Sequence, residues 1–79
     1  MRPIGQLIEE ELRRQERTPT WLARKINCER SNIYYIFTLR SINTELLRQI
    51  SLALGRDFFR EYSADLDRTE AEDASGESE

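Results

Sequence analysis

Residues 18–37 read TPTWLARKINCERSNIYYIF. Two segments of helical period flank a short step at Ile26, Asn27 and Cys28, and the way they are joined decides the fold. Thr18 is placed as an N-cap, with Pro19 at the first helical position, where a missing N–H costs nothing. Leu22, Ala23 and Ile26 fall on one face of the helix that follows. Asn27 ends that helix, because after glycine it is among the residues that best tolerate the left-handed conformation of a helix terminus. The second segment carries Ile33, Ile36 and Phe37 on its apolar face. Two helices joined by a short turn over residues 27–29 make a helix-turn-helix. Ala23 faces the turn, where a small side chain admits close approach. Ile26, Cys28, Ile33 and Ile36 are expected to bury the inside of the corner. At about 100° per residue the outer face of the second helix presents Ser31, Tyr34, Tyr35 and Thr38, with Arg30 leading from its N-terminal end.

Working outward, Ile4, Leu7, Ile8 and Leu12 form a single apolar stripe ahead of the corner, with Glu9, Glu10, Glu11, Arg13 and Arg14 on the opposite face. After the corner, Asn43 reads as an N-cap and Ile42 and Leu47 are spaced as a hydrophobic staple. Leu47, Ile50 and Leu54 continue that stripe, and Gly55 ends it. Asp57 caps a short fifth helix holding Phe58, Phe59 and Tyr62. Nothing alternates with period two, so no strand is expected, and there is no internal repeat. The expected class is all-α with five helices over residues 1–63. From Ala64 the sequence ADLDRTEAEDASGESE has one large apolar residue, Leu66. It is expected to be a disordered acidic tail over residues 64–79, with its first half able to extend the last helix by a turn.

Seventy-nine residues are one domain at most, and a chain of that size buries only ~60% of its unfolded surface. No apolar run approaches the ~20 residues of a membrane span. The N-terminus lacks an apolar stretch followed by a small-residue cleavage site, so a cytoplasmic protein is expected. Cys28 is the single cysteine and there is no histidine. An internal disulfide, a zinc site and a Cys/His dyad are therefore all beyond one chain. Cys28 is expected to be a small core residue and Trp21 a core anchor. Gly5, Gly55 and Gly76 lie too far apart for a phosphate loop. No metal, no cofactor and no enzymatic activity are expected. The net charge of −3 hides an asymmetry: residues 1–63 carry 11 Lys+Arg and 8 Asp+Glu, whereas residues 64–79 carry one Arg and seven Asp+Glu. The stretch 13–40 is the most basic, with seven positive charges against Glu16 and Glu29.

The paired segments resemble the lambda-repressor-like helix-turn-helix class, often called the Xre family. The matching residues are Leu22-Ala23, Ile26, Asn27, Cys28, Ile33 and Ile36, followed by Leu47, Ile50, Leu54 and Gly55. The family has apolar residues where Leu22, Ile26, Cys28, Ile33 and Ile36 stand, and alanine where Ala23 stands. It departs at Asn27 and Leu39, where glycine is usual, and at Pro19, where a glutamine often touches DNA. The resemblance covers residues 4–62. It implies a five-helix fold and sequence-specific double-stranded DNA binding, often as a dimer.

An exposed helix offering Arg, Ser and two Tyr suits the major groove, which admits one α-helix and displays a donor/acceptor code. The expected DNA-binding residues are Arg30, Ser31, Asn32, Tyr34, Tyr35 and Thr38 on the reading helix, Arg40 just past it, and Thr20, Arg24 and Lys25 on the helix before. The function so read is a small prokaryotic or phage transcriptional regulator. A weak homodimer is expected through Phe58, Phe59 and Tyr62 with Leu39. The rival reading keeps the fold but makes it a protein-interaction module whose acidic tail mimics or competes with DNA; the sequence pI of about 5.0 favours it.

Overall fold

The chain turns its corner at Asn27, which sits in the left-handed region at φ 58°. In the computed structural model, which describes the backbone of residues 1–76 and the side chains of residues 1–69, helix α2 (Pro19–Lys25) runs into this residue and helix α3 (Arg30–Phe37) leaves it. Thr18 caps α2 by accepting from the Trp21 N–H at 3.1 Å. Past the corner the Cys28 N–H donates back to the Ala23 carbonyl at 2.9 Å, closing the end of α2. Helix α1 (Ile4–Arg14) packs against α3, and helix α4 (Thr44–Leu54) against α2. Asn43 caps α4 through the Leu46 N–H at 2.8 Å, and Gly55 ends it at φ 68°. Helix α5 spans Phe59–Gly76. All described secondary structure is helical, and no described helix is long and apolar enough to cross a membrane.

The apolar stripes meet in one core. Ile4, Leu7, Ile8 and Leu12 of α1 close on Leu22, Ala23 and Ile26, on Ile33 and Ile36, and on Leu47, Ile50 and Leu54. Each was placed inward by its spacing. The first turn of α1 butts against the end of α3. The Gly5 N–H donates to the Leu39 carbonyl at 2.9 Å and the Ile4 N–H to the Arg40 carbonyl at 3.3 Å. These bonds satisfy two amides that a helix start leaves without partners. A Cβ at Gly5 would collide with the backbone carbonyls of Ile36 and Phe37, so the approach requires glycine.

Four expectations are corrected. Glu11 does not face water: it is 4% exposed and ion-paired to Arg14 and, at 2.9 Å, to Arg56. Gln15 also donates to it at 2.8 Å, and its amide reaches the Leu54 carbonyl at 2.7 Å. Sequence spacing along α1 does not reveal Arg56, 45 positions away. Secondly, Phe58 is fully buried, and Phe59, Tyr62 and Leu39 are half-buried and packed on the core. The exposed aromatic patch assigned to a dimer contact therefore does not exist. Helix α5 starts after Phe58, with Asp57 accepting from the Phe59 N–H at 3.0 Å, and that offset turns Phe58 inward. Thirdly, Trp21 and Cys28 are half-buried and packed against the core rather than fully enclosed in it. Fourthly, the segment from Ala64 is not a disordered tail as far as Gly76: α5 continues through it. Ala, Leu, Arg and Glu, which favour helices, are spread through this stretch among Asp, Thr and Ser, Arg68 pairs with Asp65 at 3.0 Å, and the N-terminal ammonium pairs with Asp65 at 3.2 Å. Local pairing and propensity supply order that an apolar count misses. Residues 77–79 of the expected tail lie outside the described residues.

Candidate nucleic-acid interface

Two buried residues orient α3. Ile33 and Ile36 face the core, which turns Arg30, Ser31, Asn32, Tyr34, Tyr35 and Thr38 outward; all six are exposed. Tyr35 is 65% exposed and Tyr34 47% exposed. Tyr34 is held from both sides. Its ring meets Phe37 edge-on at 5.9 Å, and the Arg30 guanidinium lies 5.5 Å from its centroid with a weak contact to the hydroxyl. The Thr38 hydroxyl donates to the Tyr35 carbonyl at 2.6 Å, so it retains only its acceptor capacity for a ligand. Asn32 lies beside the Cys28 thiol, whose pKa burial pushes up. A neutral thiol there is a poor nucleophile.

Thr20, Arg24 and Lys25 are exposed on α2, and Arg40 is exposed just beyond α3. The Arg40 carbonyl is fixed by the α1 amide described above, which anchors this residue at the junction of α1 and α3. Arg24 and Lys25 touch none of the α3 side chains through a polar contact. The site is thus a row along two helices, with one local cluster at Arg30 and Tyr34.

The electrostatics separate this row from the rest of the surface. Arg2, Arg13, Arg14, Arg48, Arg56, Arg60 and Arg68 are each ion-paired with a carboxylate. Among the described side chains, the cations with no such partner are Arg17, Arg24, Lys25, Arg30 and Arg40. All five lie between residues 17 and 40. Three of them rest on aromatic rings: Arg17 and Lys25 on Trp21, and Arg30 on Tyr34. Paired cations are largely neutralised toward a distant anion, whereas these five present unbalanced positive charge. Sequence reading missed Arg17 and Trp21 as part of this group. Their signal was the four-residue step from Arg17 to Trp21 to Lys25, obscured because Arg17 precedes the helix.

No group of three or more His, Cys, Asp or Glu able to hold a metal ion occurs among the described residues. No family model matches this chain, and neither does any curated protein or solved structure.

Proposed function

We propose that this chain is a small DNA-binding protein of the helix-turn-helix kind, related to the lambda-repressor-like class, that regulates transcription by laying α3 in the major groove of double-stranded DNA. The observation that carries the reading is the distribution of free cations. Every unpaired Arg or Lys among the described side chains lies between residues 17 and 40, the stretch that holds α2 and α3, and Arg30 sits against the exposed Tyr34. In this reading Arg30 and Tyr35, with Ser31 and Asn32, meet base edges. Thr20, Arg24, Lys25 and Arg40 flank them and meet phosphates, which set register and carry no sequence information. The chemistry is binding, with no catalytic step.

A second reading, a protein-interaction module, is favoured by Leu52. It is 69% exposed and borders an apolar groove with Gly55 and Phe59. Titration of the protein with random-sequence duplex DNA at two salt concentrations decides between them. DNA binding through this face gives an affinity that falls steeply as salt rises, because phosphate neutralisation releases counterions. Negligible affinity at low salt would refute the DNA reading and leave the interaction module.

A further inference from the structure

Trp21 and Arg17 have no part in the reading helix, yet they sit together at the start of α2, the helix before it. The Arg17 guanidinium carbon lies 4.3 Å from the Trp21 ring centroid and the Lys25 ammonium 5.6 Å from it. The three follow one another at four-residue steps. The backbone under Arg17 is pinned as well: Glu16 takes the left-handed conformation at φ 58°, and the Arg17 N–H donates to the Leu12 carbonyl at 3.0 Å. Neither cation has a carboxylate partner among the described side chains. A cation resting on a ring keeps its full charge, and a guanidinium on a ring face keeps its edge donors for a further ligand. The stack also removes rotamer freedom before any ligand arrives, which lowers the entropic cost of binding. The two cationic centres are separated by no more than the sum of their distances to the ring, roughly 10 Å. A separation within that bound lets the two cations reach neighbouring phosphates of one strand.

We propose that Arg17, Trp21 and Lys25 form a phosphate clamp that seats α2 on the backbone of one DNA strand. Arg17 and Lys25 make the contacts, and Trp21 is a positioning residue that holds both cations in place. The clamp rests on the DNA-binding reading and deepens it: it contributes affinity and register independently of sequence.

The full chain is titrated with random-sequence duplex DNA between about 50 and 200 mM salt, and log affinity is plotted against log salt. Tryptophan emission provides a second readout, since Trp21 is the single tryptophan. Arg17→Ala and Lys25→Ala are each expected to reduce the slope by about one and to weaken random and preferred sequences by the same factor. Arg13→Ala, which removes a cation already paired with Glu9, is expected to leave the slope unchanged. Trp21→Phe retains the stack and the affinity. Trp21→Leu keeps the charges and hence the slope, while affinity falls several-fold, with circular dichroism reporting the fold. Should Trp21→Leu unfold, Arg17→Ala and Lys25→Ala decide alone. Wild-type binding with a slope unmoved by Arg17→Ala and Lys25→Ala would overturn the clamp while leaving the DNA reading intact. Absence of salt-dependent binding by the wild type would overturn both.

Discussion

Gly5 is where the core leaves least room. A methyl group there meets two carbonyl oxygens of α3, which are backbone and unable to swing aside. Gly5→Ala is therefore expected to lower stability by ~1–3 kcal/mol, as overpacking does, despite alanine's better helix propensity. A urea titration checks it: the midpoint should fall with the slope unchanged, and an unmoved midpoint would mean that α1 and α3 separate freely. Glu11 makes a different demand. Hydrogen bonds from Arg14, Gln15 and Arg56 outweigh its desolvation and hold its pKa at about 2, below the ordinary 4.5. The folded state thus binds the Glu11 proton less readily than the unfolded chain. Its contribution is complete above pH 4.5 and drains away as pH falls toward 2, roughly 3 kcal/mol in all. Denaturant midpoints of wild type and Glu11→Gln between pH 5 and pH 2 should converge as the solution acidifies, and parallel curves would remove Glu11 from the acid response.

At the level of the element, α3 has one face for the core and one for a ligand, and two adjacent residues separate them. Ile36→Ala opens a buried site and is expected to cost ~2–5 kcal/mol. Tyr35→Ala should leave the melting temperature within a degree or two and weaken DNA binding instead, because its side chain touches little of the protein. A Tyr35→Ala protein that melts early but binds normally once folded would reverse the assignment of the faces. The division was legible in the sequence because helical period alone places Ile33, Ile36 and Tyr35. The same holds for Thr18, Asn27, Asn43 and Gly55, whose side chains or φ preferences are local properties. What was not legible depends on distant partners. Glu11 looked like any surface carboxylate until Arg56 arrived beside it. Phe58 read as exposed because one residue of offset at the start of α5 reverses its direction. Arg17 drew no reading at all, because its partner ring, Trp21, lies past the cap of α2. The candidate interface was therefore readable in its reading helix and unreadable in its flank.

Over the whole molecule, charge is uneven: among the described side chains the cations without a carboxylate partner lie between residues 17 and 40, and residues 64–79 carry seven carboxylates against one Arg. Because the α5 backbone is helical through Gly76, the acidic segment is a charged extension of that helix, and under the DNA-binding proposal its charge opposes an approaching polyanion. Removing residues 70–79 deletes five carboxylates and no cation. It spares the Asp65 pairs with the N-terminus and Arg68. The truncated protein is expected to bind duplex DNA several-fold more tightly at low salt, with the gain vanishing as the Debye length shrinks below ~10 Å, and to melt at the same temperature. Equal affinities at low ionic strength would show that the field of α5 does not reach the interface. The projection of α5 has a consequence for anyone weighing this protein in solution. Its principal extents are 51 × 19 × 18 Å and its radius of gyration is 14.9 Å, whereas a rounded chain of this length has about 12 Å. Such a rod drags more water than its mass warrants. A calibrated gel-filtration column would elute a monomer of this shape early, at the position of a larger globule, so elution alone does not separate monomer from dimer, and light scattering, blind to shape at this size, does.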